Sequence, residues 1–293
     1  MPRIPLVRLA SSAGRRGAAN VRRHIRAGLP SVTHRPQALV FSFLGGVVHG
    51  RELPPIPASV FLRLLGGLGV GEPAARATLS RMSERGLLER IQLGRTATYR
   101  LTPDAEAIIA AANERVSSAA PFENDGEHWT LLSYSMPESR RDLRHRVRAT
   151  LTWAGFGGLR DGLWIAPGTV DVGRVLADAQ LSEVAELAEW FAASPLPGVG
   201  PAAFIRRAWP VDQIRERHER FIQAQAAEPG RATALGEITL LGADWLQLLR
   251  ADPGLPARFL ADDWPAADSA ALYWRRYTAL RPAAEAELEA QFG

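Results

Sequence analysis

The sequence contains no cysteine and no lysine. Without thiols, the chain can form neither disulfides, thiolate zinc sites nor iron–sulfur clusters, and it has no cysteine nucleophile. This composition fits a reducing compartment, and we expect a cytoplasmic protein. The longest mostly apolar stretch, residues 39–48, is ten residues long. A membrane-spanning helix needs about 20 residues, so we expect no membrane association.

Because lysine is absent, arginine supplies all 35 basic side chains. Such a bias is typical of a GC-rich genome, yet the planar guanidinium also pairs well with phosphate and guanine. Hydrophobic residues make up 46% of the 293 positions and charged residues 23%, which is typical of folded proteins with two or three domains of this length.

The positive charge is concentrated at the N-terminus. Residues 1–34 contain seven arginines and no acid, whereas the remaining 259 residues have a net charge of −3. We predict a disordered basic tail over residues 1–34, which could hold a polyanion such as DNA. An overlong start and a targeting peptide are alternative interpretations, although no apolar stretch follows Arg15 and Arg16 as an export signal requires.

Residues 35–103 are predicted to form a winged helix-turn-helix. An apolar run after Pro36 indicates a buried first helix that ends at the glycine pair, residues 45–46. Residues 58–68 carry apolar side chains at helical spacing, and a third helix is predicted over residues 73–85. Two runs separated by a Gly-Arg turn, residues 87–93 and 96–101, indicate a hairpin, which would be the wing.

The predicted third helix has an apolar face and a polar face, and helix-turn-helix proteins place such a polar face in the major groove. The hairpin beside it can contact phosphates. The predicted DNA-binding residues are Arg76, Ser80 and Arg81 on the helix, with Arg90, Arg95, Thr96 and Thr98 on the hairpin. The alternative is that the arginines form an ordinary solvated helix face.

The rest of the chain predicts an α+β middle domain and a helical end. Residues 104–126 are predicted to be a linker helix and loop, residues 127–200 the middle domain and residues 201–293 a helical domain. Within the middle domain a strand, a helix and a hairpin follow one another. The pattern over residues 176–193 is helical, which conflicts with the closing strand of a βαββαβ sandwich. Further helices are predicted over residues 211–227, 233–250 and 269–292.

No catalytic motif is present. The six histidines are scattered, and the chain has no phosphate loop, nucleophile elbow or dinucleotide fingerprint. The adjacent Asp262 and Asp263 are interpreted as part of a solvated loop. We therefore predict that the protein is not an enzyme and holds neither a metal nor a resident cofactor.

The third helix and hairpin resemble the PaaX-type repressors of phenylacetic acid degradation. The resemblance is carried first by residues 75–82, 86–88 and 94–102. It continues through the middle and C-terminal regions, with coverage of about residues 35–290. The further motifs are at residues 129–132, 140–144, 155–159, 162–167, 252–256, 263–265 and 273–277.

This resemblance implies a winged helix, a ferredoxin-like middle domain akin to CRISPR-associated small nucleases, and a helical C-terminal domain. It also implies a homodimeric repressor that binds double-stranded operator DNA and is released by an aryl-acyl-CoA effector such as phenylacetyl-CoA. Two departures stand out. Residues 242–245 read Gly-Ala-Asp-Trp where the family often has a His-Glu pair, and Tyr134-Ser135 replaces a metal-binding aspartate of the nuclease relatives.

Two alternatives to a repressor remain open. A metal-dependent nuclease would need carboxylates near the first strand of the middle domain, where Asp142 and Asp161 are the nearest candidates. A protein-binding adaptor would show no salt-sensitive affinity for DNA. An acyl-CoA site needs arginines beside apolar walls. Candidate side chains for it are Arg140, Arg141, Arg206, Arg207 and Trp209.

Overall fold

The computed structural model describes residues 34–226 and 232–292, apart from Pro197 and Val199. The predicted basic tail, residues 1–34, therefore lies outside the described residues except for His34. No helix in the described part of the chain combines the length and the apolarity needed to cross a membrane. The strands and helices together confirm the predicted α+β class and the helical C-terminal region.

The N-terminal region consists of three helices and a small antiparallel sheet. Its elements are α1 (Pro36–Phe43), a π turn (Leu44–Val48), β1 (Ile56–Pro57), α2 (Ala58–Gly67), α3 (Glu72–Glu84), β2 (Leu88–Leu93) and β3 (Thr96–Leu101). The strand order is β1-β3-β2, and β2 and β3 form a hairpin. Gly94 turns this hairpin with a φ of 59°, a conformation that favours glycine.

The predicted end of the first helix at the glycine pair is wrong. The chain continues through Gly45 and Gly46 as a π turn and leaves it only after Val48. Leu44 and Val47 are buried in the core on this turn, and the Gly46 carbonyl accepts a 2.9 Å hydrogen bond from Tyr277 Oη. Core packing and this hydrogen bond stabilise helical backbone that two glycines alone would end.

The linker helix α4 (Pro103–Val116) leads to the middle region. Its hydroxyl cap is Thr102, whose Oγ1 accepts a 3.3 Å hydrogen bond from Ala105 N. The middle region contains β4 (Trp129–Tyr134), α5 (Arg141–Trp153), β5 (Gly157–Arg160), β6 (Leu163–Pro167), α6 (Val172–Asp178) and β7 (Ala188–Ala193). Its four strands are ordered β5-β6-β4-β7, with every neighbouring pair antiparallel.

The prediction of one helix over residues 176–193 is wrong. Helix α6 ends at Asp178, a short 3-10 helix covers Ser182–Leu187, and Ala188–Ala193 is the strand β7. Alanine and glutamate in this segment favour a helix, but pairing along β4 determines the structure instead. The closing strand of the βαββαβ order, which conflicted with the helical pattern, is therefore present.

Both faces of the four-stranded sheet are covered. On one face Leu132 packs with Val147 of α5 and Leu176 of α6. On the other face Trp129 and Ile165 pack against a C-terminal cluster, whose buried members include Ile205, Trp209, Ile214 and Leu255. The middle sheet is thus held between its own helices and the C-terminal segment.

The C-terminal region contains α7 (Pro201–Ala208), α8 (Val211–Ala226), α9 (Ala234–Ala251) and α10 (Ala266–Glu289). Ile238 of α9 and Leu288 of α10 belong to the same buried cluster as the N-terminal helices. Ser42 Oγ of α1 donates to the Thr239 carbonyl at 2.7 Å, and a Cβ built on Gly242 would lie 2.5 Å from that hydroxyl. A close contact between α1 and α9 therefore joins the N-terminal region to the C-terminal region.

Candidate nucleic-acid interface

Helix α3 separates its two faces as the sequence periodicity predicts. Ala75, Thr78, Leu79 and Met82 are buried in the N-terminal core. The opposite face is exposed and contains Arg76, Ala77, Ser80, Arg81 and Glu84. Gly71 precedes the helix in an extended conformation, and a proline in the first turn suits a helix start. The three predicted reading residues of this helix therefore share one solvent-facing surface.

Two polar side chains of that surface form hydrogen bonds with glutamates four positions away on the same helix. Arg76 Nε donates to Glu72 Oε1 at 2.8 Å, and both side chains are more than half exposed. Ser80 Oγ donates to Glu84 Oε1 at 2.8 Å. Pairs of this kind on an exposed helix contribute only about 0.3–0.5 kcal/mol, so a stronger partner can replace the carboxylates.

The hairpin adds three exposed predicted residues and one buried residue. Arg90, Arg95 and Thr96 are exposed along β2 and around the hairpin turn. Thr98 is only 3% exposed, and its Oγ1 donates a 3.0 Å hydrogen bond to the Ile91 carbonyl. Thr98 therefore supports the hairpin internally, and its hydroxyl does not belong to the exposed surface.

The N-terminal module carries more positive than negative charge. Residues 35–103 contain nine arginines and four acids. Arg51 pairs with Glu289, and Arg100 pairs with Glu89. Among the described residues, no carboxylate forms an ion pair with Arg81, Arg90 or Arg95, which leaves three guanidinium groups for an anionic partner.

Three buried side chains form a hydrogen-bonded network that the sequence analysis did not predict. His218 Nε2 lies 3.0 Å from Asp252 Oδ2, and His218 Nδ1 lies 2.9 Å from Ser269 Oγ. This is the order of groups in an acyl-transfer triad, but all three residues are fully buried, so no substrate reaches the hydroxyl in this structure. We therefore assign this network a structural role.

That network also reaches the linker helix. Arg115, near the end of α4, donates from Nη2 to the Asp252 carbonyl at 2.6 Å. Desolvation lowers the pKa of Arg115, and the charge of Asp252 opposes that shift. A long-range pair such as His218 and Asp252 has no local sequence signal, although the Asp-Pro-Gly turn at residues 252–254 marks one end of it.

A cavity of about 420 Å³ lies where α1, α4, α9 and α10 meet. None of the five side chains predicted for a ligand site lines it. Arg140, Arg141, Arg206 and Arg207 are exposed elsewhere, and Trp209 is buried with its Nε1 donating to the Gly155 carbonyl. Within the described residues, no cluster of three or more histidine, aspartate or glutamate side chains could hold a metal ion.

Three successive family models match the chain. Residues 35–105 match "PaaX-like protein", residues 123–199 match "PaaX protein central Cas2-like domain" and residues 209–290 match "PaaX-like protein C-terminal domain". The chain therefore belongs to the PaaX family of transcriptional repressors, which confirms the resemblance drawn from the sequence.

Two particular proteins show this similarity. The "Transcriptional repressor PaaX" of Escherichia coli (strain K12) is 28% identical over 233 residues, which cover 75% of this chain and 73% of the relative. A solved structure, "Uncharacterized protein Rv0674 from Mycobacterium tuberculosis", aligns with a TM-score of 0.58 and 25% identity. That alignment covers 86% of this chain and 97% of the mycobacterial chain, so the similarity extends across the N-terminal, middle and C-terminal regions.

Proposed function

We propose that the chain is a sequence-specific DNA-binding repressor whose residues 35–103 act as a winged helix-turn-helix. In this proposal α3 is the reading helix and the β2–β3 hairpin is the wing. The observation that carries it is the exposed face of α3, where Arg76, Ser80 and Arg81 point away from a buried apolar face. Membership in a family of transcriptional repressors supports the same function.

The chemistry of the surface suits duplex DNA. A guanidinium can donate two hydrogen bonds to the O6 and N7 atoms of guanine, and we assign that role to the exposed Arg76 and Arg81. Arg76 would then exchange its hydrogen bond with the Glu72 carboxylate for hydrogen bonds with the edge of the base. Arg90 and Arg95 would contact phosphates, which position the protein without reading sequence.

The proposed repressor is a homodimer. One short helix reads only a few base pairs, so a two-fold pair of reading helices doubles the contact with operator DNA. We assign the middle region to a ferredoxin-like fold from its βαββαβ order and its strand order. Its edge strand β7 exposes Trp190 by 39% and Phe191 by 58%, and an apolar sheet edge of this kind suits pairing with the same strand of a second copy.

The proposed target is an operon for the catabolism of an aromatic acid, and the proposed effector is an aryl-acyl-CoA such as phenylacetyl-CoA. For release, the effector must bind the DNA-incompetent state more tightly than the competent state. A change from 99:1 to 1:99 in the populations needs about 5.5 kcal/mol of differential affinity. An effector that only competes weakly for charge at the DNA surface does not provide this difference.

The proposal is tested by selecting duplexes from a random library with the full chain and then footprinting the selected site. We expect two related half-sites about 10 bp apart, or a multiple of that spacing, on one duplex. We also expect binding to weaken steeply as salt rises, because phosphate contacts release counterions. Recovery of no preferred sequence, together with salt-insensitive binding, would contradict the proposed function.

A further inference from the structure

A separate pocket lies in the middle region, at the sheet edge opposite β7. Its walls come from helix α5, the edge strand β5 and the β5–β6 hairpin, and its volume is about 540 Å³. The register between β5 and β6 shifts at a bulge between Gly158 and Arg160. Bulges at a sheet edge re-aim side chains and are common beside functional sites. Because β5 and β7 are opposite edges of the sheet, this pocket stays open when β7 pairs with a second copy.

Three arginines line the pocket. Arg144 and Arg148 lie four positions apart on α5, and residues at this spacing share one face of a helix. Arg160 contributes from the end of β5. Like charges four positions apart on a helix repel each other. An anion that lies among the three guanidinium groups would offset this repulsion.

Nearby carboxylates do not neutralise these arginines. Among the described residues, no carboxylate forms an ion pair with Arg144, Arg148 or Arg160. Asp161 also lines the pocket, but it is exposed at the hairpin turn and forms no ion pair within the described part of the chain. Residues 139–162 contain six arginines and two aspartates. The pocket therefore lies in a segment with a clear excess of positive charge.

Contacts within the middle region position two of the guanidinium groups. Arg144 Nη2 donates to the Met136 carbonyl at 2.7 Å, which leaves its other N–H groups available to a ligand. The guanidinium carbon of Arg148 lies 5.7 Å from the centre of the Trp164 ring, a cation–π distance. Side chains that are already positioned lose less conformational entropy when a ligand binds.

Trp164 of β6 also lines the pocket, and its indole has no hydrogen-bond acceptor. The side chain is only 6% exposed, and the residue pairs with Gly158 of the edge strand. Its Nε1 is buried and forms no hydrogen bond with any described residue. Buried donors in proteins normally have a partner, so an unpaired indole N–H beside three guanidinium groups favours a ligand rich in oxygen.

We propose that this pocket binds a phosphate group through Arg144, Arg148 and Arg160. The fork of a guanidinium matches the oxygens of a phosphate, and several arginines can donate to one phosphate together. A free phosphate-bearing small molecule and the backbone of DNA share this chemistry. Only the second source rests on the proposed function, because binding of a free phosphate is measured without DNA.

Isothermal titration calorimetry of the full chain with sodium pyrophosphate, at low ionic strength, tests the first source. We expect saturable binding, and Arg148→Gln should weaken it at least about tenfold because a charged hydrogen bond is lost. Arg146→Gln is the matched control. It removes the same charge from the same helix, but Arg146 is exposed outside the pocket, so pyrophosphate affinity should stay within about twofold of the wild type.

A second pair of variants tests the pocket without removing an arginine. A Cβ built on Gly158 makes only ordinary contacts, with two ring carbons of Trp164 at 3.9 Å. Gly158→Glu places a carboxylate beside the arginines, where it competes with phosphate, and it should weaken binding as strongly as Arg148→Gln. Gly158→Gln has a side chain of the same size without the charge and should bind pyrophosphate more tightly than Gly158→Glu. Thermal unfolding verifies that each variant is folded.

The salt dependence of DNA affinity tests the second source. If the DNA backbone occupies the pocket, Arg148→Gln should reduce the slope of log K against log salt by about 1, because one phosphate contact is lost. Arg146→Gln should keep the wild-type slope. Pyrophosphate binding with an unchanged slope assigns the pocket to a free phosphate compound, and a reduced slope without pyrophosphate binding assigns it to DNA.

Two results would overturn the proposed site. The first is no pyrophosphate binding together with an unchanged salt slope in Arg148→Gln. The second is an equal loss in Arg148→Gln and Arg146→Gln, which would show an effect of net charge and not of a pocket. A chain that binds no DNA would contradict the proposed repressor, and the pyrophosphate titration would then decide on the pocket alone.

Discussion

Removal of the buried histidine should destabilise the fold strongly. His218 lies between Asp252 and Ser269 at 3.0 and 2.9 Å, and all three side chains are inaccessible to solvent. The second carboxylate oxygen of Asp252 already accepts hydrogen bonds from Gly254 N at 2.8 Å and Leu255 N at 3.2 Å. In His218→Ala, the oxygen that faced the imidazole loses its partner in the protein interior.

We expect the free energy of unfolding to fall by about 3–5 kcal/mol, which is typical when one partner of a buried pair is removed. The imidazole also packs edge-on to Phe122 at 4.9 Å, so its loss leaves a cavity as well. This loss is a large share of a total stability of roughly 5–15 kcal/mol. It should also loosen the linker helix, because Arg115 donates to the Asp252 carbonyl.

Urea unfolding followed by circular dichroism, at one fixed chain concentration, measures this change. Arg217→Ala is the matched control, since Arg217 adjoins His218 on α8 but is exposed, and its effect should stay within about 0.5 kcal/mol. A loss below ~1 kcal/mol in His218→Ala would refute the reasoning that a buried carboxylate depends on the imidazole.

Three further predictions concern the proposed reading helix, the contact between the N-terminal and C-terminal regions, and the proposed dimer. Glu72→Gln removes the carboxylate that pairs with Arg76, so fluorescence anisotropy should show a complex with selected DNA that is about twofold tighter; equal or weaker binding would count against α3 as the reading helix. Gly242→Val overpacks the contact with Ser42 and should cost about 1–3 kcal/mol in chemical unfolding, whereas an unchanged midpoint would show that the helices can separate freely. Phe191→Arg should yield a monomer in light scattering if β7 forms the dimer edge, and an unchanged dimer mass would exclude that edge.

Local sequence periodicity was sufficient to predict the two faces of α3. Ala75, Leu79 and Met82 recur at the helical repeat and are buried, and the residues predicted to be exposed between them are exposed. The hairpin could also be located, because Gly94 marks its turn. The burial of Thr98 was missed, since a threonine on a short strand carries no signal for which side the rest of the fold covers.

Features that depend on distant segments were not predictable in this way. Strand β7 has a helix-favouring composition, and only its pairing with β4 makes it extended. The π turn through Gly45 and Gly46 depends on Tyr277, which follows more than 200 positions later. The cavity between α1, α4, α9 and α10 likewise combines residues of four segments. Arginines such as Arg140 and Arg206 were predicted for a ligand site, but the sequence does not show which arginines lie together in the fold.

The most direct test of the central claim compares helix and wing variants on DNA. Arg76→Ala and Arg81→Ala should each cost ~1–3 kcal/mol of binding to the selected duplex and little on a scrambled duplex, because base contacts carry sequence specificity. Arg95→Ala should weaken both duplexes similarly and reduce the salt slope by about 1. Wild-type affinity of Arg76→Ala and Arg81→Ala for the selected duplex would contradict the assignment of α3 as the reading helix.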